Sequence, residues 1–278
     1  MARGCDFASI FANIFCKFDN FYDCHKGEPM FFKLIACNVF FREVCAEAAL
    51  SPHVFDLEFT EKGEHDKPET LRALLQEKIN AAAACGKYDA VLLAFGLCGN
   101  ALSGISGCNI RLVIPRAHDC CTIFLGSKNR FAQYFRDNPS RPFTSAGYME
   151  RGDSFSRTSD VHSAIGLNKT YEEYVELYGE ENAQYLMETL APAANTGKET
   201  EIFFIDMPET EFLGFADKCR AEAEAGAKTF TCVEGDRRLI RGLVRPTDGW
   251  NSGDYLVIEP GEKIVPTYDW EEVIRAGR

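Results

Sequence analysis

An unbroken apolar run, Ala90-Val91-Leu92-Leu93-Ala94-Phe95, is followed at once by the turn residues Gly96-Leu97-Cys98-Gly99-Asn100. A short apolar run closed by a turn is typical of a strand that is buried on both faces. Ile110 to Ile114 repeats this pattern and stops at Pro115, and we expect a helix from about Asp119. Such strands, alternating with helices, indicate a parallel sheet.

The alternation continues on both sides of this segment. Upstream we expect strands at 31–37 and 54–59, a helix through about residue 50, and a second helix from Pro68. Downstream we expect helices at 171–190 and 209–225 and extended segments at 202–205, 228–233 and 255–258. The sequence therefore predicts an α/β fold with a mostly parallel sheet, helices on both faces, and two similar α/β halves.

The domain organisation follows from where the pattern is regular. Residues 1–30 are mixed, aromatic and without clean periodicity, and we interpret them as an N-terminal extension. Residues 31–278 are predicted to form a single α/β domain, with halves at 31–150 and 169–278 joined by a polar loop.

Composition excludes several classes of protein. The chain has 278 residues, of which 46% are hydrophobic and 26% charged, which is inconsistent with a wholly disordered protein. A formal net charge of -12 without clustered Lys and Arg disfavours nucleic-acid binding and attachment to an anionic membrane. No apolar run approaches the roughly 20 residues of a membrane span, and the first residues lack a signal-peptide pattern. A cytoplasmic protein is expected.

Soft metal ligands follow several of the predicted strands. Cys37, Cys98, His118 and Cys120 come at or after strand ends, and His65 lies in the segment that follows another strand. Because the carboxyl ends of parallel strands share one edge of a sheet, we expect these side chains to meet there. Thiolates with imidazole suit zinc or iron. A single cysteine at a strand end is more often structural, and the close Cys-x-x-Cys spacing of a zinc ribbon is absent from the sequence.

Two other roles are compatible with the same segments. Cys120 is expected near a helix start beside His118 and Asp119, where the helix dipole and an imidazolium would lower its thiol pKa and make it a nucleophile. Gly99 and Asn100 lie where backbone amides could approach an anionic ligand. The segment matches neither a Walker loop nor a dinucleotide fingerprint.

Six short motifs, in this order along the chain, resemble those of the domain-of-unknown-function 1638 family. They are Ile35-Ala36-Cys37, Glu64 to Glu69, Phe95 to Gly99, His118-Asp119-Cys120 with Leu125-Gly126-Ser127, Gly147 to Gly152, and Ile258 to Gly261. The resemblance covers roughly residues 31 to 262 and marks Cys37, Cys98, Cys120, His118 and His65 as family positions. It implies an anaerobic one-carbon setting, because these genes often lie beside those of corrinoid-dependent methyltransferases.

These observations lead to one principal function and two alternatives. The principal one is a cytoplasmic metalloprotein with Cys37, Cys98 and Cys120 as ligands and His118 or His65 as fourth ligand or acid/base group. Its cofactor would be zinc or a [4Fe-4S] cluster. The first alternative is a corrinoid-handling or methyltransferase-accessory protein, whose partner is a corrinoid, a corrinoid protein or a methyltransferase. The second is a metal-free enzyme with Cys120 as nucleophile, His118 as base and Asp119 nearby.

Overall fold

The computed structural model describes residues 28–61, 68–138, 141–152, 175, 180, 201–267 and 269–278. The strands in these ranges are β1 (Phe31–Cys37), β2 (Val54–Thr60), β3 (Ala90–Ala94), β4 (Leu112–Pro115), β5 (Thr144–Ser145), β6 (Glu201–Asp206), β7 (Thr229–Glu234), β8 (Tyr255–Ile258), β9 (Lys263–Pro266) and β10 (Ile274–Gly277). The α-helices are α1 (Phe41–Ala49), α2 (Pro68–Cys85), α3 (Cys120–Leu125), α4 (Lys128–Phe135), α5 (Ala146–Met149), α6 (Phe215–Ala225) and α7 (Arg238–Val244). Two 3-10 helices cover Asn38–Phe40 and Pro208–Leu213.

The main sheet has the strand order β2-β1-β3-β4-β8. Its first four strands are parallel, and β8 pairs antiparallel with β4. Every residue of β3 and β4 is buried, as their continuous apolar sequences predict. The register pairs Cys37 with Thr60, so the carboxyl ends of β1 and β2 lie side by side. The mixed α/β fold with a mostly parallel central sheet is confirmed.

A smaller parallel sheet contains β5, β6 and β7, in that order. Helix α6 packs on β6 and β7 and forms a small core with them. That core contains Ile202, Phe204, Cys219 and Ala223. The alternate side chains of β6, Phe203 and Ile205, belong to the main core instead. The two faces of β6, which belongs to the smaller sheet, are therefore buried in different cores.

The chain crosses between the two sheets. Strand β5, at 144–145, belongs to the second sheet, whereas β8, at 255–258, returns to the first. The N-terminal extension up to residue 27, most of the polar joining loop and the helix expected at 171–190, apart from residues 175 and 180, lie outside the described residues. Within the part of the chain that is described, no helix is both long enough and apolar enough to cross a membrane.

A buried ion-pair cluster joins α1 to α7. The carboxylate of Glu47 on α1 is 1% exposed, and three guanidinium groups contact it, those of Arg237, Arg241 and Arg245. The Nε atoms of Arg237 and Arg241 each lie 3.3 Å from Oε1 of Glu47. One turn earlier on the same helix, Glu43 is also buried, but no described residue forms a hydrogen bond with its Oε2 atom. The two carboxylates therefore have very different surroundings.

Candidate functional site

Three cysteine side chains line one narrow cavity at the carboxyl edge of the main sheet. Cys37 is the last residue of β1, Cys98 lies in the turn after β3, and Cys120 is the first residue of α3, which follows β4. The full lining is Cys37, Thr60, Glu61, Leu71, Phe95, Cys98 and Cys120. The space between these side chains is too narrow to admit a water molecule. The parallel topology thus brings together the three cysteines that the sequence singled out.

The sulfur atoms of this cluster are in contact. Sγ of Cys98 lies 3.9 Å from Sγ of Cys120, and Cys120 is also hydrogen-bonded to Cys37. Cys37 and Cys120 are buried, whereas Cys98 is half-buried. We use the name three-thiol cavity for the space lined by these side chains.

The turn that carries Cys98 is held against the loop that carries Cys120. The backbone amide of Leu97 donates a hydrogen bond to the carbonyl oxygen of Ala117 at 2.8 Å. The backbone amide of Cys98 donates a hydrogen bond to the carbonyl oxygen of His118 at 3.1 Å. A Cβ atom on Gly96 would lie 2.4 Å from Cα of Asp119, so only glycine allows the two loops to approach this closely.

The backbone itself turns sharply at the same place. Cys98, Gly99 and Asn100 all have positive φ angles, of 44°, 61° and 71°. This left-handed run places a side chain with a Cβ atom where glycine is normally preferred. The carbonyl of Asn100 accepts a hydrogen bond from Nη2 of Arg72 at 2.8 Å. The predicted role of Gly99 and Asn100 in binding a ligand is untested and stays a prediction.

The start of α3 separates two neighbouring cysteines. The Asp119 carboxylate accepts a hydrogen bond from the amide of Thr122 at 3.2 Å and caps the helix. Cys120 then lines the cavity, while Cys121 is fully buried in the main core. Adjacent helical residues point about 100° apart, which explains the different environments.

The Cys120 thiol does not have the lowered pKa that the sequence led us to expect. Hydrogen bonds with Cys37 and with Cys98, together with burial, raise its pKa well above the ordinary value. The prediction was wrong because it assumed an imidazolium beside the sulfur. The polar groups that act on the Cys120 thiol are instead the thiols of Cys37 and Cys98.

The imidazole of His118 is engaged elsewhere. Its Nε2 atom lies 3.2 Å from the carbonyl oxygen of Trp270, and its ring stacks on Phe131 with centroids 5.1 Å apart. Burial lowers the pKa of His118, and the positive charge of Lys128 contributes to the same direction. His118 does not line the three-thiol cavity. His65, the other expected imidazole ligand, lies outside the described residues.

Sequence reasoning missed three polar side chains of the site. Thr60 and Glu61 line the cavity, and Tyr148 interacts electrostatically with the thiols of Cys120, Cys37 and Cys98. The position of Thr60 and Glu61 at the carboxyl end of β2 was a signal that could have found them. Tyr148 belongs to α5, after a strand of the other sheet, and the local sequence carries no signal for its interaction with Cys120.

The donor atoms suit a soft metal ion. Two thiolates that share one tetrahedral zinc at about 2.3 Å have sulfur atoms about 3.8 Å apart, close to the separation of Cys98 and Cys120. The buried Oγ1 atom of Thr60 has no hydrogen-bond partner within the described ranges and could support a thiolate. Among the described residues, however, no group of three or more His, Cys, Asp or Glu side chains is arranged as around a metal ion. Metal binding here requires these side chains to close around the ion.

Fold and site together define an α/β protein with a three-thiol cavity at the carboxyl edge of a parallel sheet. The chain belongs to the family described as Protein of unknown function (DUF1638), whose profile matches residues 59–244, about two thirds of its length. The matched range contains Glu61, Cys98 and Cys120 and begins after Cys37. Neither a curated protein nor a solved structure matches the chain.

Proposed function

We propose that this chain is a zinc protein in which Cys37, Cys98 and Cys120 hold the ion as thiolates. The observation that supports the proposal most directly is the convergence of these three side chains, from three different strand ends, in one narrow cavity. Because each ligand comes from a separate rigid element, the fold itself positions the set. Free thiols are required, which fits the cytoplasmic setting that we infer from the sequence.

The short distance between two of the sulfur atoms favours a single ion over an iron–sulfur cluster. A cubane binds each cysteine through a different iron, which spreads the sulfur atoms further apart than ligands that share one ion. The separation of 3.9 Å between Cys98 and Cys120 matches the shared-ion arrangement. Zinc is therefore our choice between the two cofactors expected from the sequence.

Bound zinc would supply a Lewis acid that lowers the pKa of a fourth, thiol ligand. Three thiolates outweigh the charge of the ion, so the site is rich in electrons and suits a thiol that has to act as a nucleophile in alkyl transfer. The one-carbon setting of such a reaction comes from the family resemblance. The corrinoid and methyltransferase partners stay predictions.

The metal-free alternative is less well supported. A nucleophilic Cys120 requires a thiolate near neutral pH, whereas its pKa is raised by the neighbouring thiols and by burial. The expected base, His118, binds the carbonyl of Trp270. Asp119 caps α3. These three residues are therefore not arranged as nucleophile, base and orienting group.

Metal analysis of protein purified without oxygen tests the proposal. We expect about one zinc per chain in the native protein, and loss of that zinc in the variants Cys37→Ser, Cys98→Ser and Cys120→Ser. Cys121→Ser and Cys108→Ser are matched controls, one buried and one exposed, and both should keep the metal. Folded native protein without metal would refute the proposal. Iron with an equal amount of sulfide would show that the cofactor is an iron–sulfur cluster and not zinc.

A further inference from the structure

We propose that Glu61 is the exchangeable fourth ligand of this zinc site and that a thiol-bearing substrate takes its place. The inference rests on the proposed function, because it requires a metal ion held by the three cysteines. It replaces the imidazole ligands expected from the sequence by the side chain of Glu61, a residue that lines the same cavity.

The backbone places Glu61 at the mouth of the three-thiol cavity. Thr60 pairs with Cys37 at the ends of their strands, and Glu61 is the next residue along the chain. Of the seven lining residues, Glu61 is exposed and Cys98 is half-buried, while the other five are buried. A ligand that enters from solvent therefore passes Glu61.

Asn38 holds the carboxylate of Glu61 in place. Nδ2 of Asn38 donates a hydrogen bond to Oε2 of Glu61 at 2.9 Å. Asn38 is itself buried, and its backbone carbonyl oxygen accepts a hydrogen bond from Nη2 of Arg151 at 3.4 Å. A buried amide that orients a carboxylate is the usual outer-shell support of a carboxylate ligand. Among the described residues, the second oxygen of Glu61 makes no hydrogen bond, and we propose it as the metal-binding atom.

The chemistry of the donors explains why this ligand would exchange. Zinc completes four ligands, and a carboxylate at about 2.0–2.2 Å is one of its ordinary donors. A carboxylate is harder than the three thiolates, so a soft thiolate competes well for its position. In the exchange, the zinc–oxygen bond to Glu61 breaks and a zinc–sulfur bond to the substrate forms. Glu61 leaves as a carboxylate, and the proton of the substrate thiol goes to the buffer.

Cobalt substitution makes the fourth ligand visible. We would load the native protein and the variants Glu61→Gln and Glu61→Ala with Co²⁺, record the thiolate-to-cobalt charge-transfer band, and titrate with 2-mercaptoethanol. In the native protein the intensity of this band should increase by roughly a third, because the thiolate of 2-mercaptoethanol adds to the three cysteine thiolates on the cobalt ion. In both variants the midpoint of the thiol titration should fall about tenfold, since the competing carboxylate is gone. Glu69→Gln, an exposed carboxylate at the start of α2, is the control.

The outcomes separate this inference from the proposed function. Native protein that binds neither zinc nor cobalt overturns both. Native protein that binds cobalt through the three cysteines, while the Glu61 variants keep the native spectrum and thiol midpoint, overturns the role of Glu61 alone. A change in His65→Ala, with none in the Glu61 variants, assigns the fourth position to His65 and likewise overturns it.

Discussion

Tyr148 and Cys120 interact electrostatically, although the two residues follow strands of different sheets. Tyr148 is 2% exposed, and its ring contacts Phe124 and Phe143. Burial and the neighbouring thiols raise the pKa of Tyr148 well above its usual value, so it stays protonated and can donate to a thiolate. The second sheet therefore contributes directly to a cavity built mainly by the first.

The variant Tyr148→Phe tests this interaction. It removes the hydroxyl but keeps the ring, so the free energy of unfolding should change by only about 1 kcal/mol. Zinc affinity should fall about tenfold, because a thiolate loses a hydrogen-bond donor in its outer shell. Competition with a chromophoric chelator measures the affinity. Tyr134→Phe, a half-buried tyrosine against Phe203, is the control, and equal effects of the two variants would argue against the interaction.

Glu47 is expected to be essential for stability. Its replacement in Glu47→Gln leaves three partly buried guanidinium groups without their shared negative charge. We expect the free energy of unfolding to fall by about 2–4 kcal/mol, as when one partner of a buried ion pair is removed. Urea denaturation measures the loss. A change below about 0.5 kcal/mol would show that the cluster adds nothing to stability.

Glu43, one turn away from Glu47, should destabilise the folded protein when its carboxyl group is charged. Burial raises its pKa from 4.5 to about 7, with Glu150 and Glu209 contributing and Arg237 opposing. The folded state therefore holds this proton more tightly than the unfolded state, and stability falls as pH rises from about 4.5 to about 7. The loss is on the order of 3 kcal/mol. In Glu43→Gln this slope should disappear, and the variant should match or exceed native stability at pH 8. An unchanged slope would contradict the assignment.

Gly96→Ala should disturb the site through the backbone. The added methyl would lie 2.4–2.7 Å from three backbone atoms of Asp119, which forces apart the loops that carry Cys98 and Cys120. We expect a loss of about 1–3 kcal/mol in stability and at least a tenfold loss of zinc affinity. Gly253→Ala is the control, because its new methyl would meet no atom within 4 Å. Native zinc affinity in Gly96→Ala would contradict the prediction.

His118→Phe distinguishes a ligand from a packing residue. The structure places this imidazole on the Trp270 carbonyl and on the ring of Phe131, so its loss should cost about 1–2 kcal/mol of stability. Zinc content, measured by elemental analysis of folded protein, should stay at the native value. A folded variant that lacks zinc would instead support the ligand role expected from the sequence.

Much of the fold could be predicted from local sequence pattern. The runs at β3, β4 and β8 are apolar and short and are closed by turn residues, and each forms a strand as predicted. Parallel pairing then determined that Cys37, Cys98 and Cys120 share an edge. Local pattern and a general rule of topology were sufficient for this part of the site.

The remaining features depend on contacts between distant segments. The direction of the His118 ring follows from Phe131 and Trp270, and the latter lies 152 residues further along the chain. The raised pKa of Cys120 depends on which groups surround its sulfur in three dimensions. The interaction of Tyr148 with Cys120 depends on how the two sheets pack. Periodicity and spacing carry no information about any of these.

The left-handed backbone at Cys98 lowers the folding stability of the protein, whereas the Cys98 side chain is needed for the proposed zinc site. A side chain with a Cβ atom at a φ angle of 44° is strained by about 1 kcal/mol, and glycine would relieve that strain. In the absence of metal, Cys98→Gly should therefore melt at a temperature as high as, or higher than, the native protein, although it lacks a sulfur atom that the site requires. Selection for thermal stability alone would therefore favour glycine over cysteine at this position.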